Sequence, residues 1–249
     1  NAASGTILLG ARGKWGGLIL LGSAPTNVAT TTEVEGITGR TYGGTNPTDS
    51  SGTLQYVRVW HGGAVIGANN EINGITFAGV GSGTMVDHCE VAFNADDGFE
   101  YGAVLEHWTR ARRHAVEADV RRVWSVIRFF GGTVNVKYLS VLFGGDDSFD
   151  TDQGYQGMGQ FLFTMLGLQG DHGTEMDSQA GSNHDAQPRS HQAFYSMTII
   201  DGGSGSRGGE QLQLNEGTGG QFGNPILSRT SDGGVKLEEI GSNVLITQN

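Results

Sequence analysis

A single cysteine, Cys89, stands among 249 residues, so no intrachain disulfide can staple this chain. Proline is nearly as scarce, with 4 residues, and no Gly-X-Y period runs through the sequence, which excludes collagen-like and Pro-rich disordered chains. Lysine occurs only at Lys14, Lys137 and Lys236, and the formal net charge is −11. Neutralising phosphates takes clustered cations, so nucleic acid is not an expected partner. Charged residues make up 16%, below the usual quarter. No run approaches the roughly 20 apolar residues of a membrane span. No signal peptide is visible, while a start at Asn1 rather than Met suggests a trimmed or mature chain.

What the chain has instead is glycine: 43 residues, about 17% against a usual share of roughly 7%. Its apolar residues come in short runs, TILLG, GGLILLG, YVRVW and FLFTMLG, punctuated by Gly. That pattern predicts many short strands joined by tight turns, in a β-rich protein of the extracellular space or cell surface. The length allows one large domain or two small ones.

Two acidic phrases repeat 50 positions apart, NADDGFE at 94–100 and GGDDSFD at 144–150. Between them lies a foreign stretch, residues 101–128, with half of the 12 Arg, one Gly and no Asn. Trp108, Ala115, Val116, Val120, Val123 and Ile127 fall mostly three or four apart, which predicts an amphipathic helix. Setting these 28 residues aside reduces the repeat to 50 − 28 = 22 residues. That length suits one turn of a parallel β-helix built from about three short strands, and it places both acidic phrases at one corner of successive coils. The expected fold is an all-β, right-handed parallel β-helix over residues 1–249 with one inserted helical segment at 101–128.

Aligned on that corner, Val91 matches Val141, Phe93 matches Phe143, and Cys89 matches Leu139, with Val57 and Val59 one coil earlier. These positions are the expected interior, and Cys89 is expected to be a buried core residue. The intervening positions face outward, Tyr56, His88 and Tyr138 in one row and Arg58, Glu90 and Ser140 in the next. Arg58 and Glu90 are expected to pair across coils. Exposed Tyr and Trp60 offer surfaces on which sugar rings can stack, beside the alternative of ordinary surface packing.

The stretches GKWGGLILLGSAPTN, YGGTNPTDSSGTLQYVRV, NNEINGITFAGVGSGT, DDGFE, FFGGTVNVKYLSVL and DDSFDTDQGYQG together resemble a family of secreted or lipid-anchored parallel β-helix surface proteins, of the pectin-lyase-like solenoid type. Its members are widespread in marine and Bacteroidetes-type bacteria, with relatives in microalgae. The resemblance covers nearly all of residues 5–201 and implies the fold but no established activity. In relatives the acidic phrase runs straight on as DDGFEFFGGTVN, so residues 101–128 are a departure. They read either as an inserted helix beside the acidic corner or as an intron translated in frame.

Chemistry is expected on the acidic corner. Asp96, Asp97 and Glu100 on one coil, with Asp146, Asp147, Asp150 and Asp152 on the next, would crowd one ridge, because stacked strands lie about 4.8 Å apart. Repelling carboxylates at Gly-rich turns suit Ca²⁺, a hard cation that takes six to eight oxygens, while turn capping through Asx hydrogen bonds is the alternative. A third reading makes Asp97, Asp147 and Asp150 catalytic acids of a glycoside hydrolase or polysaccharide lyase, with Lys137 or Arg58 as a lyase base. The histidines His61, His88, His172, His184 and His191 show no metal-ligand spacing. GTEMDSQAGSNHDAQPRSH, from 173 to 191, is expected to be a long loop carrying Glu175, Asp177 and Asp185. The Gly-rich stretches, DGGSGSRGG among them, lack the spacing of a phosphate-binding loop. No organic cofactor is expected. The favoured role is a polysaccharide-associated binding or structural protein stabilised by Ca²⁺. A polysaccharide-cleaving enzyme and a self-associating filament or coat component are the alternatives.

Overall fold

The computed structural model describes residues 7–67, 70–95, 125–179, 183–202, 209–230 and 233–239. In chain order the strands are β1 (Leu18–Leu21), β2 (Thr53–Gln55), β3 (Arg58–Trp60), β4 (Val65–Gly67), β5 (Asn70–Glu71), β6 (Ile75–Ala78) and β7 (Met85–Ala92). They continue as β8 (Ser125–Phe130), β9 (Asn135–Leu142), β10 (Asp147–Asp152), β11 (Met158–Gln160), β12 (Phe163–Met165) and β13 (Thr174–Met176). The last are β14 (His191–Tyr195), β15 (Thr198–Ile200), β16 (Leu212–Leu214), β17 (Gly219–Gly223), β18 (Ile226–Ser228) and β19 (Val235–Leu237). Apart from the antiparallel pair β4–β5, the strand pairs are parallel.

The strands wind as the coils of a parallel β-helix, as expected. The first face is a seven-stranded sheet in the order β1-β6-β8-β10-β13-β16-β19. A second sheet supplies two further faces. β2, the first half of β7, the first half of β9, β11, β14 and β17 make one; β3, the second halves of β7 and β9, β12, β15 and β18 make the other. Phe149 lies opposite Ile127, so one coil spans 149 − 127 = 22 residues there, the length inferred from the repeat.

The faces meet at a corner made by one residue per coil in the left-handed region: Tyr56, His88, Tyr138, Phe161, Ser196 and Asn224, all with φ between 51° and 57°. A single such residue redirects the strand while the ladder continues on both sides. The interior columns follow the sequence alignment for Cys89 opposite Leu139 and for Val59–Val91–Val141. Phe93 and Phe143 instead are half-buried left-handed residues, φ 52° and 53°, that stack on each other at 5.5 Å outside the main core. Phe77 stacks on Phe129 at 5.2 Å, and Phe129 on Tyr155 at 4.6 Å. The buried Tyr155 hydroxyl donates to the Val134 carbonyl at 2.8 Å, so burying it leaves its donor satisfied. Each fully buried large apolar side chain contributes about 1.5–3 kcal/mol.

Two expectations change here. Residues 96–124, which hold most of the expected helix together with Asp96, Asp97 and Glu100, lie outside the described residues. The last four positions of that segment, Ser125–Arg128, are strand rather than helix. From Ile127 on, the side chains alternate: Ile127 and Phe129 enter the main core, which Val126 also joins, while Arg128 and Phe130 point outward. Ser125 therefore stands opposite Asp147 and Arg128 opposite Asp150, the places expected for Asp97 and Glu100. The expected loop at 173–191 also begins later, because Thr174–Met176 forms β13.

The long connection between β1 and β2 folds over the outer side of the first sheet. Val34 and Tyr42 pack there with Ala78 and Phe130, helped by Ile19, Leu21, Val28 and Ile37. This small second core places Glu35 over Arg128 and closes off the outward side of β10.

Candidate functional site

The outward rows of the first sheet bring the acidic residues together. Row by row, the pairings place Asp147 beside His172, and Asp150 between Arg128 and Glu175, with Gln213 beyond Glu175. The described part of the expected acidic ridge is buried. Asp146 and Asp147 are 3% exposed, Asp152 8% and Asp150 not at all.

The protein supplies its own counter-charge in Arg128. Its guanidinium lies 3.3 Å from Asp150, 3.7 Å from Asp152 and 3.7 Å from Glu35, and it stacks 4.5 Å above the Phe130 ring. Burial lowers its pKa, but these carboxylates outweigh that and hold the charge firmly in place. Arg128 thus takes over the neutralising role assigned from sequence to Ca²⁺ at Asp150 and Asp152. Asp150 is fully buried, so it cannot touch a polymeric substrate as a catalytic acid.

Away from the ion pairs of Arg128 the cluster is held differently. The Asp147 carboxylate accepts from the His172 backbone N–H and meets its ring Nδ1, both at 2.8 Å. The other ring nitrogen lies 3.8 Å from Glu210. Burial pulls the imidazole pKa down, but Asp147, Asp171 and Glu210 more than offset it and raise it to about 9. Glu175 is pushed well above the usual carboxylate range, first by burial and then by Asp147, Asp177 and Asp150. Asp177 is raised in the same way, by burial and then by Asp150, Asp152 and Glu216, and its Oδ1 is buried with no hydrogen-bond partner among the described residues. Sequence reasoning placed Glu175 and Asp177 in a loop and gave His172 no ligand role. Their meeting depends on a 25-residue offset between coils, visible only once β10 is set against β13.

The opposite side of the molecule has another character. Tyr56, His88, Tyr138 and Phe161 stack along the left-handed corner at centroid separations of 4.8, 4.5 and 5.0 Å. The first three were expected as an outward row; Phe161 extends it. Beside them Arg58 pairs with Glu90 at 3.5 Å, also as expected. Because the rings stack on each other, the inner rungs present edges and hydroxyls to solvent, and their faces cannot receive a sugar ring.

A groove on each side flanks this ladder. One, of about 530 Å³, contains Arg58, Glu90 and Ser140. The larger, of about 620 Å³, runs over the face of β7, β9, β11 and β14 and is lined by Met85, Asp87, Asn135, Lys137, Met158, Gln160 and Tyr195. Lys137 lies 5.2 and 5.5 Å from the Tyr138 and Phe161 rings. Tyr195 lies over Gly223, where an added Cβ would come within 2.3 Å of the ring. One ring face therefore rests on backbone while the side chain stays 43% exposed in the groove. Lys137 and Arg58 sit on faces other than the one that carries β10, so neither can serve as a lyase base for the acidic cluster.

Among the described residues no helix is long and apolar enough to cross a membrane. The family model of the pectate-lyase-like β-helix domain matches residues 7–108 and 125–248. Its gap, 109–124, falls within the stretch that the sequence set apart, and it resumes where β8 begins. No curated protein and no solved structure matches the chain.

Proposed function

This chain belongs to the family of pectate-lyase-like β-helix domains, and from that premise we propose that it binds polysaccharide at the cell surface or in the extracellular space, holding the glycan in the groove beside the aromatic corner. The observation that carries this reading is the lining of the 620 Å³ groove. It alternates apolar patches, Met85, Met158 and Tyr195, with hydrogen-bonding groups, Asp87, Asn135, Lys137 and Gln160. A sugar has the same mixture, apolar C–H faces edged by hydroxyls, and binding sites of this type are mostly apolar with a few placed polar groups. Rungs spaced about 4.8 Å apart repeat the lining along the axis, which suits an extended chain better than a single small molecule. The groove holds one Lys and one Asp, a balance that favours a neutral glycan. Tyr195, backed by Gly223, is the ring placed to stack on a sugar.

A glycan array probed with the purified protein, with and without EDTA, tests the reading, followed by product analysis of every retained glycan. Retention of an uncleaved neutral polysaccharide is expected. Tyr195→Ala should weaken it about three- to tenfold, the range for losing one aromatic stacking partner, without lowering the melting temperature. Absence of any retained glycan, or equal retention by Tyr195→Ala and Lys137→Ala, would sink the proposal. Release of shortened products would replace binding with cleavage.

A further inference from the structure

We propose that Asp147, His172 and Glu175 form a binding site for one divalent transition-metal ion, with an imidazole nitrogen and two carboxylate oxygens as the protein's ligands. One ligand atom from each residue lies within 4.8 Å of the other two. The His172 Nδ1 to Asp147 Oδ1 distance is 2.8 Å. Adjacent ligands around a metal with bonds of about 2.0–2.2 Å are separated by roughly 3 Å, so this pair already has the spacing of neighbouring ligands.

The backbone fixes that spacing. Asp150 on β10 is in register with Glu175 on β13, which sets His172 beside Asp147 just ahead of the ladder. Ligands carried by a continuous parallel sheet hold their relative positions better than ligands on separate loops. The second ring nitrogen faces Glu210 at 3.8 Å, the kind of carboxylate partner that orients a metal-bound imidazole.

Charge points the same way. Carboxylate oxygens of Glu175 and Asp147 lie within 4.8 Å of each other, and two such groups are favoured by a cation between them. The cation already present in the cluster, Arg128, is engaged one row away with Asp150, Asp152 and Glu35. The imidazole decides the class of metal. Ca²⁺ and Mg²⁺ take all-oxygen shells, whereas mixed nitrogen and oxygen sets suit zinc, manganese and iron. The site lies on the first face, while the aromatic corner and its grooves lie on the other two, so it stands or falls independently of glycan binding.

The test is a titration of the chelator-stripped full chain with Zn²⁺, Mn²⁺ and Ca²⁺, read by calorimetry and by metal content after gel filtration. One equivalent of Zn²⁺ or Mn²⁺ per chain is expected, with a rise in melting temperature that EDTA reverses. Glu175→Gln removes a ligand and also a repelling charge, so it should fold at least as well while losing affinity. That loss should exceed the roughly 10- to 100-fold cost of removing a supporting residue. His172→Gln should lose binding to a similar degree. Binding undiminished in Glu175→Gln would place the ion on other histidines and overturn the proposal. Binding of Ca²⁺ without Zn²⁺ or Mn²⁺, or of none of the three, would overturn it as well.

Discussion

Tyr138 shows what a corner residue does in this fold. Its φ of 52° is a conformation that costs an L side chain roughly 1–2 kcal/mol. Its ring is held between His88 at 4.5 Å and Phe161 at 5.0 Å, and this stacking offsets the strain. The two effects separate under substitution. Tyr138→Ala loses the ring and keeps the strain, whereas Tyr138→Gly loses both. The Gly variant should therefore be more stable than the Ala variant by about 1 kcal/mol, the reverse of their order inside an ordinary strand. Urea unfolding of the pair measures this, and a more stable Ala variant would show that the corner stores no such strain. The sequence revealed that Tyr56, His88 and Tyr138 form one outward row, because the apolar alternation around them is regular. It could not reveal φ, since nothing in a Tyr or His marks a left-handed residue as a Gly would.

At the scale of the strand, β8 explains both a success and an error of the sequence reading. Its neighbours align as the repeat predicted, since every coil must present apolar side chains to one interior. Its identity was mistaken because Ile127 continues a helical spacing from Val120 and Val123, and four residues are too few for alternation to compete. The correction has a physical consequence at Arg128. Deleting residues 109–124, the stretch the family model leaves out, keeps Arg128 against Asp150 and Glu35. Deleting 101–128 instead joins Glu100 to Phe129 and brings a carboxylate to the place of the guanidinium. Leaving buried carboxylates without their cation costs roughly 3–5 kcal/mol. The shorter deletion should melt cooperatively with a strand-type circular dichroism spectrum, and the longer one should melt many degrees lower. Equal stability of the two would mean that Arg128 is not what neutralises this face.

Across the whole molecule the buried charge makes stability depend on pH in a direction that can be worked out. The groups concerned are His172, facing Asp147, Asp171 and Glu210; Glu175, facing Asp147, Asp177 and Asp150; and Asp177, facing Asp150, Asp152, Glu216 and Arg128. All three have pKa values raised by folding, so the folded chain binds their protons more tightly than the unfolded chain. For His172 the stabilising contribution is complete below its ordinary value near 6.5 and is lost as pH rises to about 9. At 1.36 kcal/mol per unit this contribution is roughly 3 kcal/mol. For Glu175 and Asp177 the loss begins above the ordinary carboxylate range and has the same sign. This is opposite to the usual surface carboxylate, which stabilises as it ionises. The acidic composition alone suggested repulsion but not its sign with pH, because that depends on which groups the fold buries. In EDTA the melting temperature should therefore be higher at pH 5.5 than at pH 8.5. Glu175→Gln should flatten the difference by removing one of the raised groups. A melting temperature that climbs from pH 5.5 to 8.5 would mean that these side chains are solvated in the folded protein and that the acidic face is open.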